Sequence, residues 1–353
     1  MSLFRYSSLL LPVIAGMTLL STDVEAQPMK TGVKPVGPLG QRVMQQAEVP
    51  LTQNVANVLP DQMSGTANVA SNGALDGVPM LNGFHFRFAN GDHEFRKVTA
   101  LVASPSSATI SFVDKNADDP YKAAATWINL KGGGTRGEVH AAGMAQFDIP
   151  LPTQRPPNTR LVLTGFEIRD KDDQDVQMIG IWLDEARNVA RFSLTSYAGN
   201  SSSVWWAGSG ARLGNARGPV VVNPPYYNGA KVYSSAAAAD SWVNANQKNS
   251  ARAFAVHLQY AFIPTSIVAG EDYFTGTSRA PASGKEFQPR SAIQGFEFYF
   301  DNKAHHIREL GVMPRLPGSA VSSRAPAGEF IAFQDKNRDD PIKWAVKLLT
   351  IKP

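Results

Sequence analysis

A chain of 353 residues, 43 % hydrophobic and 18 % charged with a formal charge of +4, holds enough apolar content for a sizeable core. Its Lys and Arg residues are scattered rather than grouped into runs, which argues against a nucleic-acid partner. The absence of cysteine excludes disulfide staples and argues against lipid attachment at a processed N-terminus, so stability has to come from packing. Such cysteine-free chains are more usual among bacterial exported proteins than among small eukaryotic secreted domains.

Residues 1–26 read as a signal peptide. Arg5 supplies the positive region, Leu9 to Leu20 the apolar run, and Val24-Glu25-Ala26 a small-residue end, with cleavage expected after Ala26. The apolar run is broken by Pro12 and Gly16 and is short for a membrane span; no later stretch approaches about 18 apolar residues. The chain is therefore expected to be exported, to an extracellular, cell-surface or periplasmic location, without a membrane-spanning helix.

Residues 27–80 lack a sustained apolar period and are rich in Gly, Pro, Gln, Asn and Ser, which predicts an extended leader or linker. A short helix near Gln41 to Glu48, and a strand or two close to the leader's end, are the exceptions expected there.

The rest of the chain resembles itself. Residues 83–98, GFHFRFANGDHEFRKV, match residues 295–310, GFEFYFDNKAHHIREL, without a gap. A second block follows each: FVDKNADDP at 112–120 and FQDKNRDDP at 333–341. A weaker third copy begins at Gly165 with GFEIRDKDDQDVQMIGI; it lacks the DKNxDDP block and carries an insertion over 197–250 instead. Phe254-Ala255-Val256-His257-Leu258 in that copy aligns with Trp344-Ala345-Val346-Lys347-Leu348. The expected organisation is a β-module over 81–152, a second over 153–275 with the insertion, and a third over 285–353.

Within a module the pattern is that of strands. Phe84, Phe86 and Phe88 alternate with polar positions, as do Phe296, Phe298 and Phe300, which puts each trio on one face of a half-buried strand. Asn90-Gly91-Asp92 predicts a hairpin into a strand over Phe95 to Val102. Strands are further predicted over Ala108–Val113, Ala123–Leu130 and Arg160–Ile168, with a short helix over Ala236–Asn246. The fold class expected is all-β, made of tandem antiparallel sandwich or jelly-roll-like modules.

Three segments offer chemistry. The DKNxDDP blocks place Asp114, Asn116, Asp118 and Asp119, and again Asp335, Asn337, Asp339 and Asp340, on a few residues of chain, a spacing of oxygen donors suited to calcium. A calcium loop of the helix-loop-helix type also wants Gly at its sixth position and a carboxylate at its twelfth, and both blocks lack them, so a plain strand-to-strand turn is the competing reading. His93, His305 and His306 sit in the repeated first block, where a structural or surface role is expected because the middle copy has Gln174 and Asp175 instead. Trp205, Trp206, Tyr226, Tyr227, Tyr233 and Trp242 crowd the insertion among Asn, Ser and Gly, the composition of a surface that stacks on sugars or anchors a protein. The competing reading is a second small core packed over the sheet.

Neither GxSxG nor HExxH occurs, and adjacent carboxylates such as Asp118 and Asp119 do not flank a bond as a glycosidase requires. The expected function is a non-enzymatic secreted or surface protein that binds a glycan or a protein partner, with calcium as the only cofactor in view. A structural subunit of an extracellular fibre, coat or matrix that self-associates is the alternative, and a polysaccharide-acting hydrolase comes third.

Overall fold

Period-two alternation gives strands nearly everywhere it occurs, and the computed structural model of the chain bears out the all-β expectation. It describes residues 51–62, 66–70, 75–171, 175–196, 231–247, 252–278, 282–283, 290–313, 330–337 and 339–352. The expected signal peptide, the expected helix near Gln41 and most of the insertion lie outside them.

The strands fall into three runs. The first is β1 (Leu51–Gln62), β2 (Thr66–Ala70), β3 (Val78–Phe88), β4 (Phe95–Ser104), β5 (Ser107–Asp114) and β6 (Tyr121–Leu130). In the second, β7 (Thr135–Met144), β8 (Gln146–Pro150), β9 (Thr159–Asp170), β10 (Met178–Asp184) and β11 (Val189–Thr195) precede an inserted β12 (Lys231–Tyr233) and helix α1 (Ala236–Asn246), and β13 (Ala253–Pro264) closes it. The third is β14 (Val268–Ser278), β15 (Ala282–Ser283), β16 (Ser291–Phe300), β17 (Glu309–Met313), β18 (Phe330–Gln334) and β19 (Ile342–Ile351). The sequence-predicted helix matches α1, and the segment read as a leader supplies β1, β2 and the start of β3.

Three antiparallel sheets result. The first has the order β1-β6-β3-β17-β18-β15, the second β12-β7-β13-β9-β4-β5-β2, and the third β14-β19-β16-β10-β11-β8. Leaving β12 aside, all three have one plan: three strands from one run, then three from the run before it, with the first run following the third. Each run is thereby split between two sheets. The Asn90-Gly91-Asp92 turn accordingly does not make a hairpin. It carries the chain round a corner, because β3 pairs with β6 and β17 while β4 pairs with β5 and β9. Both strands bury apolar rows in the same interior from different walls, which a hairpin in one sheet would not allow.

The repeated Gly-Phe segments mark the middle of this arrangement. Phe84 on β3, Phe166 on β9 and Phe296 on β16 are fully buried and meet one another, with ring centroids 5.0 Å (Phe84 to Phe166), 4.7 Å (Phe84 to Phe296) and 5.3 Å (Phe166 to Phe296) apart. One ring comes from each sheet, so the three walls share one core. The glycine before the phenylalanine leaves no room for a side chain: a Cβ on Gly165 would sit 2.7 Å from the Ala100 carbonyl oxygen, and one on Gly295 2.8 Å from the Trp182 ring.

Just before each glycine the strand register slips by one residue, at Asn82, Thr164 and Gln294. Such bulges bend a strand and raise its twist, as a wall that must curve round a shared interior requires. All three bulged residues are buried and polar, and each makes a bond that crosses between runs. Asn82 donates to the Ser291 carbonyl at 2.6 Å, Gln294 to the Leu161 carbonyl at 2.6 Å, and the Trp127 indole to the Thr164 carbonyl at 2.8 Å. Residues 48–353 form one compact unit.

Candidate functional site

Two turns of the first run come together at one corner. Asn90 and His93 lie on the chain between β3 and β4, Asp114 ends β5, and Asp119 lies just before β6. His93 sets Nδ1 2.7 Å from Asp119 Oδ2 and Nε2 2.9 Å from Asn90 Oδ1, while the Asn90 amide donates to Asp119. Asp114 is 3 % exposed; its Oδ2 accepts from the Asn116 backbone N–H at 3.0 Å, and its Oδ1 is buried with no hydrogen-bond partner among the described residues. The Phe88 ring meets the imidazole edge-on at 4.9 Å and holds its plane.

The third run builds the same corner. His305 Nε2 lies 3.0 Å from Asn302 Oδ1, and its Nδ1 lies 3.2 Å from Asp340 Oδ2 and 4.0 Å from Asp335 Oδ2; the Asn302 amide donates to Asp340, and Phe300 packs on the ring. Burial, and then a hydrogen bond with Asp335, push the Asp340 carboxyl above its ordinary range. In both corners one imidazole nitrogen and two carboxylate oxygens lie within 4.8 Å of one another. An Nε2 that donates to an asparagine oxygen leaves Nδ1 as the nitrogen facing the two carboxylates, which orients the ring as metal-binding histidines are oriented. With Nδ1 protonated instead, the group is an imidazolium clasp joining two turns.

Of the eight oxygen donors expected from the sequence, Asp114, Asp119, Asp335 and Asp340 enter these corners. Asn116, Asp118, Asn337 and Asp339 are exposed on the turn outside them. The histidines that complete the corners were read from the sequence as structural. The available signal was that His93 and His305 hold the same place in the first recurring block and that a second recurring block follows each, which a folded turn brings together. His306 faces Asp175 at 2.9 Å on the surface.

The second run has a different corner. Phe254 pairs with Asp170 as Tyr121 pairs with Phe88 and Ile342 with Phe300, so the alignment of Phe254 with Trp344 expected from the sequence is displaced by two residues. Arg252 therefore stands where the other runs have Asp119 and Asp340, and Asp170 where they have Phe88 and Phe300. The two form a buried ion pair, 2 % and 4 % exposed, and Arg252 also donates to the Asp175 carbonyl at 2.8 Å.

The insertion returns to the body on the outer face of the second sheet. Ser235 caps α1 by accepting from the Ala238 amide at 3.3 Å. Ala239 and Val243 pack on Ala142, Ala253 and Ala255, with Tyr233 and Trp242 partly buried against them. These two aromatics thus join a small second core. Trp205, Trp206, Tyr226 and Tyr227 lie outside the described residues.

Next to the helix, β7 carries Glu138 and His140, and β13 carries His257 directly opposite His140. The imidazole centroids are 4.1 Å apart, and His257 Nε2 is 3.3 Å from Glu138 Oε2. Burial holds both imidazoles below the usual histidine range; His140 adds to this for His257 and Arg169 for His140, while Glu138 works against it at both rings. Arg169 on β9 ties this face to the helix through Asp240 at 2.7 Å and also pairs with Glu167. Sequence reading left out His140 and His257, which are 117 positions apart and share no motif.

No protein-family model matches the chain, and no curated protein matches it significantly.

Proposed function

We propose that the chain is an exported, non-catalytic β-repeat protein that binds a glycan or a protein partner at the outer face of the second sheet, with divalent cations closing the turns of the first and third runs. One observation carries the reading. Three runs share a strand plan, and among the described residues only the second has an inserted strand and helix in place of its acidic turn. The first and third sheets reach the same order without such an addition, so the insertion is not required to complete a wall. It brings α1, Tyr233 and Trp242 to a face that already carries two imidazoles, Glu138 and Arg169. A scaffold that keeps its core symmetric and departs from that symmetry at a surface is arranged for recognition.

The binding test is a glycan array with the full chain, followed by Trp205→Ala and Trp206→Ala. Binding by the wild type that both substitutions weaken by about tenfold or more, as expected of anchoring aromatics, supports the glycan reading. An empty array sinks it.

For the cation, the oxygen donors suit calcium, and the imidazole nitrogen widens the choice to ions such as manganese and zinc. In the second run the same corner is filled by a guanidinium, so the position accommodates positive charge without a metal. A cation present at about 100 times its dissociation constant adds roughly 2.7 kcal/mol of stability. Calcium, manganese or zinc should raise the melting temperature and a chelator should reverse the rise, with Asp119→Asn plus Asp340→Asn abolishing the calcium response. An unchanged melt with all three ions removes the cation.

A further inference from the structure

We propose that Glu138, His140 and His257 form a second kind of metal site, for a first-row transition ion of the zinc class, on the outer face of the second sheet. Their candidate ligand atoms, one per side chain, all lie within 4.8 Å of one another. Two imidazoles and one carboxylate are a donor set that zinc and its neighbours accept and that calcium, which prefers oxygen, does not.

Four features of the site point the same way. The strands fix the geometry, since His140 and His257 are directly paired on β7 and β13 and Glu138 is two residues along the same face. Nδ1 of His140 is buried and has no hydrogen-bond partner among the described residues, a cost that folding alone gives no reason to accept. The pair is not needed to build a sheet of this plan, because the matching register of the third sheet holds Thr275 opposite Ala345. Lastly, three protein donors leave an open position on a tetrahedral ion. β12 pairs with β7 so that Tyr233 lies opposite His140, which puts that position beside the inserted segment. The inference does not depend on a glycan or protein ligand and stands apart from the His-Asp-Asp corners.

The experiment uses the full chain with Zn2+ in titration calorimetry and Cu2+ in electron paramagnetic resonance. Wild type should show a copper spectrum with hyperfine structure from two imidazole nitrogens. His140→Gln and His257→Gln should each reduce that to one nitrogen or none. Because losing an outer partner of a metal site already costs roughly 10–100-fold in affinity, losing a direct ligand should weaken Zn2+ at this site by about 100-fold or more. His93→Gln and His305→Gln should leave the two-nitrogen spectrum in place. Circular dichroism in chelator establishes that each variant is folded, and Glu138→Gln, on a more exposed side chain, provides a variant that leaves the histidine pair intact and should weaken Zn2+ alone. A wild type without a two-nitrogen spectrum, or folded His140→Gln and His257→Gln variants that bind Zn2+ as wild type does, overturns the site.

Discussion

Truncating Phe84, Phe166 or Phe296 to Ala is expected to lower the stability of residues 48–353 by about 3–5 kcal/mol per substitution, the range for a fully buried phenylalanine whose neighbours cannot collapse into the gap. Each ring touches the other two at centroid distances of 4.7–5.3 Å, so the cavity opens where three sheets meet and no single sheet can shift to fill it. The loss should be felt by the whole body at once. Every sheet is made of strands from two runs, so no run can keep its core when another melts. Denaturant unfolding followed by tryptophan fluorescence and far-ultraviolet circular dichroism should give one coincident transition, moved to lower denaturant in each variant. Two separated transitions in the wild type, or a loss below about 1 kcal/mol, would contradict a shared core.

The second large effect is expected at the odd corner. Asp170→Ala should cost about 3–5 kcal/mol, because it leaves the Arg252 guanidinium buried without its counter-charge. The double variant Asp170→Phe, Arg252→Leu should recover most of that loss. Exchanging a buried ion pair for well-packed apolar residues is commonly neutral or stabilising, and the fold already accommodates Phe88 and Phe300 at the position matching Asp170. Chemical denaturation of the wild type, the single and the double variants measures both. If the double variant is no more stable than Asp170→Ala, the pair is held by something other than charge balance.

The two corners that keep their histidines show why a motif can be half legible. DKNxDDP announces itself because six of its residues recur together, and reading it in isolation suggests a loop whose own donors wrap an ion. The turn instead directs Asp114 and Asp119 toward an imidazole from a different turn, and leaves Asn116 and Asp118 in solvent. Proximity along the chain selected eight donors; proximity in space selects four of them and adds His93 and His305. The same limit applies to His140 and His257, which meet only because β7 and β13 pair in one register. Tyr233 and Trp242 carry the converse lesson. Aromatic richness singles out a segment, but whether a ring such as that of Trp242 faces a ligand or a neighbouring alanine depends on what lies beneath the helix.

What the sequence determined by itself is local and periodic. Alternating phenylalanines dictated strands with one apolar face, the alanine-rich stretch after Ser235 dictated a capped helix, and self-similarity required related corners in the first and third runs. The tertiary structure decided how the runs share walls. A strand's pattern states that one face must be buried but not against which partner, and β4, β10 and β17 find theirs in a sheet begun by another run. Which polar groups meet at a corner or across two strands follows from that exchange, because contact between distant residues is fixed by register and packing rather than by spacing along the chain.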